Sequence, residues 1–139
     1  GGVLHYGTQN ASRLGMFAAA ANLRELNKDG AVAFTHLWHI GEQLCSGLRE
    51  LFITKGIAAI VQNVGPMLQI MFTEQERITD FREFCAHVDR AAYQHFAWKL
   101  FDHGVYMSPA AALHSVACVA HTDNDVSATL TAVAEVIDG

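Results

Sequence analysis

Apolar and polar positions alternate along this chain with two different periods, and the changes of period mark its elements. From Leu14 to Leu26 the chain is apolar on nearly every side: Leu14, Met16, Phe17, Ala18–Ala21 and Leu23, with charges only at Arg24, Glu25 and, further on, Lys28. Ser12 is a good N-cap and Gly30 a good stop, so a helix is predicted between them. A helix apolar around its circumference must be covered around its circumference. The remaining residues are not expected to do this alone, so something that covers it lies outside this sequence. A second helix is predicted from Val32 to Lys55, stopping at Gly56. Leu37, Gly41, Leu44, Leu48 and Leu51 recur at spacings of four and three and form one apolar face.

The period then shortens. Ile57–Val64 is apolar and β-branched, Gly65-Pro66 punctuates it, and Met67–Phe72 follows, which predicts an antiparallel hairpin. Thr73–Val88 reads as loop with a short helix. A third full helix starts near Asp89 and ends before Gly104, with Tyr93, Phe96, Ala97, Leu100 and Phe101 as its core stripe. Val105–Pro109 is extended, and Ser115–Ala120 reads as a third strand. Thr122-Asp123-Asn124-Asp125 opens the last helix, with Thr122 as cap and two aspartates suited to its positive end. Its buried face is Val126, Leu130, Val133 and Ile137. The order α-α-β-β-α-β-α describes an α+β fold: a small, mainly antiparallel three-stranded sheet packed with helices.

Composition narrows the function classes. At 139 residues with no obvious break, one domain is expected; 51% hydrophobic and 17% charged residues are globular proportions. The net charge of −5, without runs of like charge, argues against nucleic acid or an anionic membrane as partner. No stretch approaches the roughly 18 uninterrupted apolar residues of a membrane span. The chain opens Gly1-Gly2-Val3-Leu4, without a secretory leader pattern or an initiator Met, which reads as a fragment, a processed product or a trimmed chain. Cys45, Cys85 and Cys118 are odd in number, far apart and set among apolar neighbours. They read as reduced, buried thiols of a cytoplasmic protein.

Several residues invite chemistry. Gly7-Thr8 before a helix start could hold a phosphate: glycine admits close backbone approach, a threonine hydroxyl can donate, and the helix start adds free amides. By itself such a dipeptide is far more often loop. His36 and His39, three apart on a helix, could share a metal, yet no Cys-x-x-Cys accompanies them and helix histidines are usually just partly exposed. Cys118 with His121 or His114 could be a nucleophilic pair, but Cys118 falls in the predicted apolar strand, where a thiol is inert. Ser108 and Ser115 have no adjacent base. The stripe Tyr93, Phe96, Phe101 has core spacing. Arg13 is a lone cation in the first turn of an apolar helix, facing solvent, a phosphate or a partner's carboxylate. From these residues alone the reading is a soluble, incomplete α+β domain.

Five segments in series resemble the C-terminal region of class III, pyridoxal-phosphate (PLP)-dependent aminotransferases, most closely the glutamate-1-semialdehyde 2,1-aminomutase group. His5-Tyr6-Gly7-Thr8-Gln9-Asn10-Ala11 is similar to that family's His-x-Gly-Thr-x-Asn segment before an alanine-rich helix. Val64-Gly65-Pro66-Met67-Leu68 with Phe72-Thr73 resembles its glycine turn and following strand. Asp89, Tyr93 and Phe96 fit its Asp-then-aromatics helix. Gly104-Val105-Tyr106-Met107-Ser108-Pro109 resembles its Gly-Val-Tyr-Leu-x-Pro stretch, and Ala120-His121-Thr122-x-x-Asp125 its Ala-His-Thr helix start. The resemblance covers nearly the whole chain.

The resemblance implies a fold type I dimer in which PLP forms a Schiff base with a lysine of a large domain. Neither that lysine nor the aspartate that pairs with the pyridine nitrogen has a counterpart here: Lys28, Lys55 and Lys99 sit in or at the ends of predicted helices. On this reading residues 1–139 are a C-terminal small domain with a leading loop and alanine-rich helix, the large domain lies elsewhere, and the chain alone is inactive. Gly7 and Thr8 match the family's Gly-Thr pair, which contacts the PLP phosphate of the neighbouring subunit. The partners implied are the large domain, a second subunit and a small amino or keto acid substrate. The sequence departs from the pattern at Ser12-Arg13, where the family usually has Asn-Pro, and at Ala110–Ser115, which lacks the carboxylate often found in the aminomutases and the arginine some transaminases use. Transaminase and aminomutase therefore both stand, and the departures motivate an alternative: a non-catalytic binding or assembly module of the same fold.

Overall fold

A computed structural model describes Gly7 and residues Ser12–Gly139. Its internal contacts divide it into two compact units, one running to Thr35 and the other comprising His36–Gly139.

The first unit carries α1 (Arg13–Leu26). Ser12 is its N-cap, as predicted, with Oγ accepting from the Gly15 amide at 3.4 Å. The helix ends at Leu26, and a 3-10 turn over Lys28–Gly30 follows. Asp29, Gly30 and Ala31 all have positive φ, at 52°, 71° and 64°. Only glycine adopts that region freely, so two side-chain-bearing residues are held there against their preference. No residue of α1 is buried. Leu14 is 82% and Phe17 76% exposed, so the apolar circumference read from the sequence stands uncovered among the described residues.

The second unit is built on α2 (Val32–Thr54, whose first turn belongs to the first unit), the hairpin β1 (Ala59–Val64) and β2 (Met67–Phe72), α3 (Phe81–His87), α4 (Arg90–Asp102), β3 (Ser115–Val116) and α5 (Asp123–Asp138). The strands lie in the order β1-β2-β3, all antiparallel. Val64 pairs with Met67, so the hairpin turns over Gly65-Pro66, with Gly65 at φ 53°. Ile70 and Met71 are adjacent, point to opposite faces and are both buried, so both faces of the hairpin are covered. The α+β order read from the sequence is thus the observed one.

The core is Leu48 and Phe52 of α2, Ile70 and Met71 of β2, Phe96 and Leu100 of α4, and Val133 of α5. Phe52, Phe72 and Phe96 meet edge-on, with ring centroids 5.9, 6.3 and 5.4 Å apart. Such contacts add roughly 0.5–1.5 kcal/mol per pair beyond burial. The α2 helix approaches the hairpin turn through Gly41. A Cβ there would overlap the Gly65 carbonyl and lie 2.9 Å from Pro66 Cα. The Trp38 ring lies over Gly65. Asp89 caps α4 through the Ala92 amide at 2.9 Å, and Gly104, at φ 81°, ends it.

Several boundaries differ from the sequence reading. The first strand begins at Ala59 rather than Ile57, because the Ile57 amide still bonds back to Phe52 in the α2 C-terminus. The α2 face is centred on Ile40, Cys45, Leu48 and Phe52, rotated from the predicted leucine line. Phe101 leaves the α4 stripe and is 54% exposed, stacking edge-on with Trp98 and Tyr106. The third strand is two residues long, not six: the Ala117 amide carries the ladder one step further to the Pro66 carbonyl, Pro66 has no N–H to return a bond, and Cys118–His121 then closes a turn. Of the three cysteines read as buried, only Cys45 is; Cys85 and Cys118 are exposed.

Candidate functional site

Thr8 lies outside the described residues; Gly7 is described and exposed. The helix that follows can be assessed directly. The first turn of α1 holds no acidic residue and begins with Arg13, which is exposed. Free amides, a positive helix end and a guanidinium, with no carboxylate to repel an anion, are the features a phosphate group requires. The residues present therefore fit a phosphate-bearing cofactor at this end of α1.

Lys28 pairs with Glu25 at 2.6 Å, Lys55 with Asp138 at 2.5 Å, and Lys99 is half-buried in the last turn of α4.

The second unit holds a cleft of about 110 Å³ between α2, the segment after α4 and the start of α5. Tyr106 and Met107 come from one family-like segment and His121 and Asp125 from another, with Ser115 between them. Two motifs far apart in sequence thus share one wall. The acidic side of this cleft is fixed by a capping box: Thr122 Oγ1 and the Thr122 amide each donate to Asp125 Oδ2 at 2.7 Å. Those two bonds hold the Asp125 carboxyl below its ordinary value of 3.8.

The histidines read as a metal pair are used otherwise. His36 Nε2 donates to the His121 carbonyl at 2.8 Å, and His39 Nε2 lies 3.2 Å from Asp123 Oδ1. Both tie α2 to the entry of α5. Among the described residues no three His, Cys, Asp or Glu side chains are grouped to hold a metal ion.

Cys118 is the correction with chemical consequences. The sequence reading placed it in a strand as an inert thiol; it lies in the turn before α5, exposed, with Sγ 3.2 Å from His121 Nδ1. The Cys118 amide lies 3.0 Å from the same nitrogen and donates to it in the tautomer that carries its proton on Nε2; the Cys118 carbonyl lies 3.3 Å from it. The three-residue spacing was the available signal; the overlong strand concealed it. Cys45 is the opposite case: burial in the α2 core pushes its thiol up to about 11, against the opposing pull of Arg49.

Comparison with known proteins agrees with the resemblance. No family model matches the chain. It is 35% identical over 131 residues to a glutamate-1-semialdehyde 2,1-aminomutase of Chloroflexus aggregans, covering 93% of this chain and 30% of that protein. It is 34% identical over 137 residues to the enzyme of the same name from Thermus thermophilus, covering 99% of this chain and 31% of the relative. Among solved structures, a β-phenylalanine aminotransferase from Variovorax paradoxus superposes with TM-score 0.79 at 27% identity, covering 100% of this chain and 31% of that one. The chain thus spans about a third of the length of these relatives, their C-terminal third in the case of the aminomutases.

Proposed function

This chain belongs to the class III, PLP-dependent aminotransferase family and corresponds to its C-terminal part, and on that premise we propose that it is the small domain, with its lead-in helix, of an enzyme that moves an amino group on a small amino or keto acid. The observation that carries this is the serial match, over 99% of the chain at 34% identity, to an aminomutase three times its length.

Bound PLP supplies the electron sink for amino-group movement. The residues of this chain that would hold it are Gly7 and Thr8. On this reading Gly7 admits close backbone approach to the phosphate, and Thr8 donates a hydroxyl hydrogen bond, across a subunit boundary. Arg13, the first residue of α1, adds positive charge where the family usually has proline, strengthening the pull on the phosphate. The uncovered apolar surface of α1 is the part of this chain that the large domain and the second subunit would cover. The small domain supplies one wall of the substrate site. On this reading the reacting lysine lies in the rest of the protein.

Borohydride reduction of the complete protein followed by peptide mass spectrometry tests this. A pyridoxyl adduct on a lysine outside this chain is the expected result. An adduct on Lys28, Lys55 or Lys99, or none at all, overturns the assignment.

A further inference from the structure

We propose that Cys118 and His121 form a nucleophilic thiol–imidazole pair, a site at which small hydroperoxides oxidise the protein. Neither the amino-transfer reading nor the family-like motifs require a thiol at this position, and the inference stands independently of them.

The geometry is that of a nucleophile with its base. Cys118 Sγ lies 3.2 Å from His121 Nδ1, within reach of S–H donation. In the tautomer with its proton on Nε2, Nδ1 presents its lone pair to the sulfur and to the Cys118 amide. The imidazole cannot swing away easily. Its backbone is pinned by the His121 amide bonding to the Cys118 carbonyl at 3.0 Å and by His36 Nε2 donating to the His121 carbonyl at 2.8 Å. Two carboxylates lie near the pair. Asp125 is one turn into α5 and close enough for His121 to draw its carboxyl down further. Asp123 adds a second carboxylate, held by His39 of α2. The thiol itself is exposed, in the turn that leads into α5.

The step balances with a hydroperoxide as the only co-reactant. The sulfur lone pair attacks the terminal oxygen, the thiol proton passes to Nδ1, and the O–O bond breaks. The departing alkoxide or hydroxide takes that proton from Nδ1 and leaves as alcohol or water. Sulfur is oxidised by two electrons to a sulfenic acid and the peroxide is reduced by two.

The chain carries its own controls. Cys85 is exposed on α3, with no side-chain hydrogen bond among the described residues, and Cys45 is buried. The full chain is treated with limiting hydrogen peroxide and dimedone, and in parallel with limiting iodoacetamide, and each thiol is followed by peptide mass spectrometry. Cys118 is expected to react at least about tenfold faster than Cys85 in both assays. His121→Asn, which keeps an acceptor for the Cys118 amide, is expected to bring Cys118 to the rate of Cys85. Equal rates at Cys118 and Cys85 in the unaltered protein overturn the proposal without recourse to any variant. An unchanged Cys118 rate in a folded His121→Asn protein does so as well.

Discussion

Gly41 of α2 touches the Gly65 carbonyl of the hairpin turn so closely that no side chain fits between them. The helix thereby rests on the turn itself rather than on a side chain above it. Trp38, one turn earlier, closes over the same glycine. Gly41→Ala must therefore displace backbone, not a flexible side chain. A loss of about 1–3 kcal/mol or more is expected, read as a lower urea midpoint. An unchanged midpoint would mean the helix and the turn are further apart than described.

Thr122→Ala removes the hydroxyl of the α5 capping box and is expected to cost about 1 kcal/mol, measured by denaturant unfolding. It should also alter the acid limb. The Thr122 bonds depress the Asp125 carboxyl below 3.8, and the Thr79 hydroxyl and amide depress the Glu83 carboxyl below 4.5. A folded-state value below the unfolded one contributes stability that is complete above the ordinary value and is lost as pH falls through the folded one. Stability is therefore expected to drop as pH falls below 4.5, less steeply in Thr122→Ala. Identical acid limbs in the two proteins would refute the assigned cause.

Cys45 is expected to resist thiol reagents at pH 8 in the folded protein and to react only on unfolding, since burial raises it to about 11. Titration with a chromogenic disulfide along a urea series gives the result: a third thiol released in step with the unfolding transition. Release before the transition would place Cys45 nearer the surface.

Thr8→Ala in the complete protein is expected to weaken PLP retention by about 1.5–3 kcal/mol, the loss of a hydrogen bond to a charged group. Equilibrium dialysis against free cofactor measures it. Unchanged affinity would remove Thr8 from the phosphate site.

The chain by itself is expected to self-associate through α1, where Leu14, Met16, Phe17 and Leu23 are all more than half exposed. Replacing Leu14 and Phe17 by glutamine should shift sedimentation toward the monomer. A wild-type monomer at high concentration would show that this surface does not drive association.

Much of the fold could be read from the chain because its local signals agree. Ser12, Asp89 and Thr122 each cap the helix they precede, and Gly65-Pro66 turns the hairpin in the register its apolar strands suggest. What escaped was tertiary. Ser115–Ala120 has strand composition throughout, yet its partner strand gives way to the Gly65-Pro66 turn, where Pro66 has no N–H to offer, and the Cys118–His121 turn follows. Phe101 has core spacing but faces Trp98 and Tyr106 at the surface. In the candidate site the residue pairing of Cys118 with His121 was legible as a spacing, but its reactivity depends on exposure, which spacing does not encode.

The shortness of β3 has a consequence for how the chain assembles. β1 meets β2 across two residues, whereas Leu68 meets Ser115 only after α3 and α4 have intervened. Closing a long loop costs more entropy than closing a short one, and two residues of pairing offer little in return. The third strand is thus expected to be the last to join and the first to leave. The turn carrying Cys118 does not depend on that pairing, because His36 of α2 holds the His121 carbonyl, so the edge of the sheet is expected to loosen while the turn stays in place.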